Sequence, residues 1–363
     1  MSIRKTASML LTFTAVSFSI HAGTLIAQEA SPAPAQQKVV IESDGTVEAP
    51  AHSVPLSTFL TPEAKSYITD HLRDMQDPEK VKQDIGVPRF MKHYLERDED
   101  LFALDQKDEK IGGVHVYTYV PKAGIAAENR NRILINLHGG GFSGCWPGCA
   151  QLESMPISSL MRIKVVTVDY REGPDYKFPA ASEDVAKVYT ELLKTYKPAN
   201  IGIYGCSAGG MLTAMSLAWF QSHHLPTPGA DGIFCASAGP FGGDATYIAF
   251  PLGEARMPVA NQISQQRLGY FSDADMKDPL VQPSTSSAIL AKFPPTLIIT
   301  ATRDFAMSGA INTDVLLTRA GVDSELHVWD GLFHGFFYDA DVPESKEAFA
   351  IIATFFDRHL GKN

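Results

Sequence analysis

The sequence has few cysteines, no excess of positive charge and no long apolar run beyond its N-terminal region. Four cysteines in 363 residues cannot supply a framework of several disulfides. Asp and Glu outnumber Lys and Arg by 41 to 31, and this net charge of −10 argues against nucleic acid and anionic membranes as partners. The 45% apolar and 20% charged residues are ordinary for a globular protein. The length suits one large α/β domain with an added subdomain.

The N-terminal segment, residues 1–27, is typical of an export signal. Two basic residues near its start precede a mostly apolar run at 7–20, and small residues follow. Ser and Thr interrupt this run, which is also too short to suit a bilayer span, so we expect no stable membrane insertion. We predict an exported protein, periplasmic or secreted, with cleavage near residues 22–27 and a flexible linker over 28–54.

A serine between two glycines is the most informative local feature. Gly205 to Gly209 follow the apolar run Ile201–Tyr204 and precede an apolar segment of helical length at 211–220. A serine in a sharp turn between a strand and a helix has its hydroxyl exposed, and the flanking glycines leave room for the crowded backbone. The pattern predicts that Ser207 is a catalytic nucleophile.

Consecutive glycines follow an earlier apolar run at 132–137. Their backbone N–H groups can approach a ligand oxygen closely, because no Cβ stands in the way. Together with the N–H after the nucleophile they would form an oxyanion hole. The N–H after the nucleophile is that of Ala208.

A serine nucleophile needs a histidine base, and that base needs a carboxylate to orient it. In this arrangement the chain order is serine, acid, histidine. Asp304 follows a strand-like run at 295–300, and His334 follows another at 325–329. Asp330 competes for the role of the acid, although its position four residues before the histidine favours a role in the local turn.

Three segments carry a resemblance to a known family, and they are His138–Phe142, Gly205–Gly209 and Asp169–Asp175. Together they resemble the hormone-sensitive-lipase-like α/β-hydrolases, which include bacterial carboxylesterases, over roughly residues 110–360. The resemblance implies a serine esterase without a cofactor or metal, with Ser207, Asp304 and His334 as its triad. It also implies that Gly139, Gly140 and Ala208 donate to the oxyanion.

Two positions depart from that family's pattern. An aspartate usually precedes the nucleophile, but the sequence has Cys206. An acid is common four residues after the triad aspartate, but the sequence has Ser308. Neither departure removes a triad member, but both concern hydrogen bonds close to the site.

Strands and helices alternate from residue 110 onward, and this alternation predicts a mostly parallel central sheet flanked by helices. The predicted strands are 114–120, 132–137, 163–169, 201–204, 232–236, 295–300 and 324–329, and the predicted helices are 181–196, 208–222, 305–320 and 343–359. The fold class is therefore α/β, and the expected fold is that of the α/β-hydrolases.

Helical patterns precede this alternation. We assign residues 55–105 to an N-terminal helical cap, with helices from Pro62 and around 77–95, and residues 106–363 to the catalytic domain. A second cap segment is predicted over 240–290. The alternative is a pair of helices packed on the flank of the sheet.

Several side chains near the predicted turns are candidates for an acyl pocket. They are Phe142, Trp146, Met211 and Phe241. Cys145 and Cys149 flank a turn-prone insert, where a disulfide and two free thiols are both open. Cys206 and Cys235 are predicted to be buried and unpaired.

The predicted function is hydrolysis of short- to medium-chain carboxylic esters through an acyl-enzyme. A small-molecule ester is the expected partner, and a homodimer is left open. A lactone-, amide- or carbamate-cleaving enzyme would use the same groups, and a binding protein without turnover is a further alternative. A dinucleotide-binding protein is a remote alternative. Gly139, Gly141 and Gly144 fit the Gly-x-Gly-x-x-Gly pattern, but Pro147-Gly148 would interrupt the helix that such a site needs.

Overall fold

The computed structural model describes residues 39–257 and 269–361. The predicted export signal, residues 1–27, lies outside the described residues, so its role remains a prediction. None of the helices among the described residues combines the length and the apolar character that a membrane span requires.

The described part of the predicted linker contains regular structure. Strand β1 (Val40–Ile41) pairs antiparallel with β2 (Val47–Glu48), and all four residues are exposed. The chain divides between Ser53 and Val54 into two compact units, so this small ribbon belongs to the first of them.

The second unit contains a large central sheet and a short ribbon. The ribbon joins β3 (Gln83–Asp84) to β4 (Val87–Pro88). The sheet strands are β5 (Leu104–Ile111), β6 (Val114–Pro121), β7 (Ile133–Leu137), β8 (Lys164–Val168), β9 (Ile201–Cys206), β10 (Ala230–Phe234), β11 (Thr296–Arg303) and β12 (Ser324–Phe333). Their spatial order is β12-β11-β10-β9-β7-β8-β6-β5.

The pairing in this sheet is mostly parallel. All neighbours from β12 to β8 run parallel, and β6 and β5 are antiparallel additions at one edge. Strands β7 and β9 are fully buried at the centre. Parallel strands end at the same edge of a sheet, so the loops after β7, β9, β11 and β12 meet there.

Helices cover both faces of the sheet. They are α1 (Pro62–Met75), α2 (Lys92–Leu101), α3 (Gly148–Met161), α4 (Ala180–Leu192), α5 (Ala208–Ser222), α6 (Asp244–Glu254), α7 (Ser287–Leu290), α8 (Met307–Arg319) and α9 (Pro343–His359). Alternate residues of β7 divide between two apolar cores: Leu134 packs with α3 and α9, and its neighbours Ile133 and Ile135 pack with α4, α5 and α8. This is the predicted α/β fold.

The seven predicted strands and four predicted helices are confirmed, but other elements of the second unit were missed or misplaced. Strand β5 was missed because it is largely polar and exposed at the sheet edge. Helix α3 was missed because it begins at a glycine and contains Pro156. The helix expected over 77–95 was wrong in its first part, where Ile85 and Gly86 both adopt positive φ and turn the ribbon β3–β4.

The two predicted cap segments contact each other. Helix α1 begins after Thr61, whose hydroxyl accepts the Ala64 N–H at 3.2 Å, and it contacts α6. His71 on α1 donates from Nε2 to the carbonyl of Gly253 at 3.0 Å. Helix α2 instead packs on α3, at the flank of the sheet. The cap role of 55–105 stays a prediction, and its predicted boundary with the catalytic domain falls inside β5.

Candidate active site

The nucleophile candidate occupies a strained turn between β9 and α5. Ser207 has φ 57° and ψ −121° and lies between the last residue of β9 and the first of α5. A Cβ at Gly205 would come within 2.2 Å of the Leu137 carbonyl oxygen, and one at Gly209 within 1.7 Å. Only glycine fits at these two positions, so the sequence pattern around the serine follows from the geometry of the turn.

The serine, histidine and aspartate predicted from three distant loops form a continuous chain of hydrogen bonds. The Ser207 hydroxyl lies 2.8 Å from Nε2 of His334, and Nδ1 of His334 lies 2.7 Å from Oδ1 of Asp304. An ionised aspartate can only accept, so Nδ1 carries the proton and Nε2 is left to accept from the serine. This tautomer is the one that a general base at Nε2 requires.

Asp304 is fully buried and saturated with donors. Its Oδ2 accepts the Thr300 hydroxyl at 2.8 Å, and its Oδ1 also accepts the Ala306 N–H at 2.9 Å. Burial acts to raise the pKa of this carboxyl. The neighbouring His334 and these hydrogen bonds outweigh burial, so the net effect lowers the pKa below its ordinary value. The carboxylate therefore stays ionised beside the imidazole.

His334 is held from two sides. Its ring stacks on Phe305 with centroids 4.2 Å apart, and Asp304 fixes its Nδ1. Burial acts to lower its pKa, but the carboxylates of Asp304, Glu254 and Glu153 act in the opposite direction, and the net effect raises the pKa above 6.5. The imidazole is thus suited to take up a proton during a reaction.

The competing acid lies elsewhere. The Asp330 carboxylate accepts the hydroxyl of Ser57 and, at 3.2 Å, that of Thr302. It therefore contacts the segment before α1 rather than the catalytic histidine. The geometry favours Asp304 as the residue that orients His334.

One of the three predicted oxyanion donors already has a hydrogen-bond partner within the protein. The N–H of Gly139 donates to Oε1 of Glu153 at 2.8 Å, so this group is already occupied and cannot also meet a substrate oxygen. Within the described residues, the N–H groups of Gly140 and Gly141 make no hydrogen bond. The N–H of Ala208 opens α5 and has no partner inside the helix.

The glycine loop keeps its shape through close backbone contacts. Gly140 has φ +118°, and a Cβ there would come within 2.0 Å of the Gly144 carbonyl oxygen. Gly141 has φ +66°. Both backbones lie in the region that glycine adopts readily.

Sequence comparison identifies the family. Residues 134–338, more than half of the chain, match the family described as the alpha/beta hydrolase fold. The chain belongs to the α/β-hydrolase family. Among its relatives, "Acetyl-hydrolase" of Streptomyces hygroscopicus is 24% identical over 65% of this hydrolase and 79% of its own length. "Carboxylesterase/phospholipase LipF" of Mycobacterium tuberculosis is 28% identical, and the match covers 63% of each chain.

Solved structures agree with this assignment. The crystal structure of esterase E25 superposes with a TM-score of 0.72 at 26% identity and covers 86% of this hydrolase and 98% of that chain. An esterase of the bacterial hormone-sensitive lipase family gives a TM-score of 0.69 at 22% identity, over 83% and 99%, and shows the shared fold. The predicted resemblance to the hormone-sensitive-lipase-like hydrolases is confirmed at the level of family and fold.

The four predicted pocket residues differ in their surroundings. Phe142 is fully buried between the rings of Tyr270 and Phe271, with centroids 4.9 Å from each, so its ring belongs to the core of the hydrolase. Met211 is also buried in that core. Trp146 is half-buried and packs on His138 and Tyr117, and half-buried Phe241 packs on Phe305. Phe241 thus lies one ring away from His334, and the pocket role of all four stays a prediction.

The cysteines of the hydrolase fall into two pairs. Cys145 and Cys149 form a disulfide shortly after the glycine loop at 139–141. Cys206 and Cys235 are buried and free, as predicted. Ligand atoms of Cys235, Asp304 and His334 lie within 4.8 Å of one another, a spacing that a metal ion could use. Burial raises the pKa of the Cys235 thiol well above 9.0, so the thiolate that a metal needs is disfavoured, and Nδ1 of His334 is already paired. These three side chains therefore suit proton transfer better than metal binding.

One argument against a dinucleotide site was wrong. Pro147-Gly148 does not interrupt a helix, because α3 begins at Gly148. The loop before α3 nevertheless hydrogen-bonds to Glu153 through the Gly139 N–H. The α/β-hydrolase assignment accounts for the serine and histidine, which a nucleotide site would leave unexplained.

Sequence reasoning missed one residue of the site. Glu153 is 2% exposed and accepts hydrogen bonds from the oxyanion loop and from the nucleophile turn. A signal was present in the sequence: Glu153 is the one charged residue in the segment 148–161 of this hydrolase. An unpaired charge in an apolar helix that is buried on a sheet indicates a specific polar partner.

Proposed function

We propose that this hydrolase is a serine carboxylesterase that cleaves short- to medium-chain esters through an acyl-enzyme. The observation that carries the proposal is the unbroken chain of contacts from the Ser207 hydroxyl through His334 to Asp304. The names of its relatives, which include esterases, carboxylesterases and acetyl-hydrolases, support the same reaction class.

The first half of the reaction forms the acyl-enzyme. The Oγ of Ser207 attacks the ester carbonyl carbon while its proton moves to Nε2 of His334, and Asp304 stabilises the imidazolium that results. The tetrahedral intermediate then breaks its bond to the alcohol oxygen. His334 returns the proton to that oxygen, and the alcohol leaves.

The second half uses water in place of the alcohol. A water molecule gives a proton to Nε2 of His334 and attacks the acyl carbon, and collapse of the intermediate releases the carboxylic acid and restores the Ser207 hydroxyl. In both halves the N–H groups of Gly140, Gly141 and Ala208 would meet the oxyanion. One such donor contributes about 3 kcal/mol in a preorganised site.

The size of the acyl group is part of this proposal. The name of the Streptomyces relative points to an acetyl group, and half-buried aromatic rings near His334 leave an apolar surface for a longer chain. A lactone, amide or carbamate would meet the same groups. Measuring kcat/KM for p-nitrophenyl esters of increasing acyl-chain length gives the preferred length. Low values of kcat/KM at every chain length would contradict an ester preference.

Replacing the nucleophile tests the reaction itself. We expect Ser207→Ala to keep the fold and to abolish turnover of p-nitrophenyl acetate, because no other hydroxyl lies against Nε2 of His334 in the described residues. An organophosphate that labels the wild type should leave this variant unlabelled. Ser222→Ala, an exposed serine at the end of the same helix, is the matched control. Full activity or labelling in the Ser207 variant would overturn the proposal.

Export remains part of the proposal as well. The disulfide between Cys145 and Cys149 supports an oxidising compartment. Expression of the full chain in a bacterial host, followed by N-terminal sequencing of the periplasmic protein, tests it. Cleavage near residues 22–27 is expected, and an intact N-terminus confined to the cytoplasm would contradict it.

A further inference from the structure

A single buried carboxylate joins four segments of the site. Oε1 of Glu153 accepts the Gly139 N–H at 2.8 Å and the Tyr338 hydroxyl at 2.9 Å. Oε2 accepts the Asn136 side-chain amide at 2.9 Å and the Cys206 N–H at 3.2 Å. These donors come from the end of β7, the oxyanion loop, the nucleophile turn and the loop after the catalytic histidine.

The donors are fixed from behind, so the carboxylate does not simply adapt to them. The Thr167 hydroxyl donates to Oδ1 of Asn136 at 2.7 Å, which forces the NH₂ of Asn136 toward Glu153. Two of the other donors are backbone N–H groups of the loop and of the turn. Because the Glu153 carboxylate accepts from both N–H groups, it fixes the distance between Gly139 and Cys206. The distance between the residues next to them is fixed as a consequence.

The charge state of Glu153 agrees with this role. All four partners donate, so the ionised form satisfies every contact, whereas a protonated carboxyl would turn one oxygen into a donor. Burial raises the pKa of Glu153 to about 7, and the hydrogen bonds from Asn136, Gly139, Tyr338 and Cys206 act to lower it. Burying a carboxylate is costly unless it is hydrogen-bonded, and the four donors around Glu153 offset that cost.

The neighbouring residue explains why the acid comes from α3. Position 206, directly before the nucleophile, holds a cysteine, and burial raises the pKa of its thiol, so it brings no charge. The turn therefore has no carboxylate of its own for its backbone donors. Glu153 reaches them from the helix that packs on the sheet.

We infer that Glu153 is a positioning residue of the proposed esterase reaction, which sets the distance between the Ser207 hydroxyl and the N–H groups of Gly140 and Gly141. The inference rests on the proposed function. It assigns Glu153 no contact with the substrate; its effect passes through the backbone of Gly139 on one side and of Cys206 on the other.

Glu153→Gln separates this role from simple packing. Glutamine has the same shape but offers one acceptor oxygen and an NH₂ group, so that group would face donors that already point at it. We expect kcat for p-nitrophenyl acetate to fall about 100-fold with KM nearly unchanged, because the oxyanion forms only after binding. The affinity for a trifluoromethyl ketone, which forms a tetrahedral oxyanion on the serine, should fall by the same factor.

Asp98→Asn is the matched control. Asp98 is another buried acid, 1% exposed on α2, and it has no hydrogen-bond partner within the described residues. This variant should keep the wild-type kcat and ketone affinity. Wild-type kcat in Glu153→Gln, or a loss of kcat with unchanged ketone affinity, would overturn the inference.

A milder variant keeps the inference testable if Glu153→Gln does not fold. Tyr338→Phe removes one of the four donors, and we expect a loss in kcat of about three- to tenfold with a parallel loss in ketone affinity. Wild-type values for both would count against the inference. If the wild-type enzyme itself turned over no ester and took no organophosphate label, the proposed function would fall first, and that outcome differs from every result above.

Discussion

The two sides of Ser207 each contain a buried carboxylate, but the two carboxylates have different partners. Asp304 pairs with His334, a base that would gain a proton in the proposed reaction. Glu153 pairs with an amide, a hydroxyl and two backbone N–H groups, all of which are neutral. The pKa of Asp304 is lowered, whereas that of Glu153 is raised to about 7.

The difference shows what a charged partner does for a buried acid. Burial acts to raise the pKa of both carboxyls, and both receive several hydrogen bonds. Only the acid beside an imidazole also gains a Coulomb attraction, and this attraction decides the sign. We therefore expect the Asp304 side of the site to respond to charge and the Glu153 side to respond to geometry.

The largest expected effect comes from removing the charge beside the histidine. Asp304→Asn should lower kcat by about 10⁴-fold, because the amide favours the wrong tautomer of His334 and no longer stabilises the imidazolium. Steady-state kinetics with p-nitrophenyl acetate measures it. Asp330→Asn, the exposed competitor for the same role, should keep the wild-type kcat. A severe loss of kcat in Asp330→Asn alone would instead assign the role of the triad acid to Asp330.

The central sheet and the loops that follow its strands could be predicted from sequence for a physical reason. Strands buried on both faces, such as β7 and β9, must be continuously apolar, and a strained turn such as that at Ser207 admits only small neighbours. Both constraints act on residues that are adjacent along the chain, so one sequence reveals them.

The missed features depend on contacts between distant segments. Strand β5 owes its place to pairing along the whole of β6, not to its own apolar residues. Glu153 reaches Gly139 and Cys206 across 14 and 53 positions of sequence, respectively, so neither motif reveals it. The partner of the Gly139 N–H could not be predicted for the same reason, because it lies on α3, a helix that the sequence did not predict.

The pH profile tests the charged side of the comparison. His334 must be neutral to act as a base, and its pKa is raised above 6.5, so kcat/KM should fall as the pH drops through that raised value. The groups that raise it are the carboxylates of Asp304, Glu254 and Glu153. In Asp304→Asn the largest of these attractions is lost, and the acid limb of the residual activity should move to lower pH. An acid limb at the same pH in both enzymes would contradict this assignment.

The smallest expected effects come from removing one hydroxyl donor from each carboxylate. Thr300→Val deletes the 2.8 Å hydrogen bond to Asp304, and Tyr338→Phe deletes the 2.9 Å bond to Glu153. Each should cost about three- to tenfold in kcat.

The loss of a donor raises the pKa of Asp304 and weakens its hold on the imidazolium, so Thr300→Val should also shift the acid limb of the pH profile. Tyr338→Phe should instead weaken binding of the trifluoromethyl ketone, because its hydroxyl helps to hold Glu153, which in turn binds the Gly139 N–H. If Thr300→Val left the acid limb in place and weakened ketone binding as much as Tyr338→Phe does, the two carboxylates would share one role, and the distinction between a charged side and a geometric side of Ser207 would be lost.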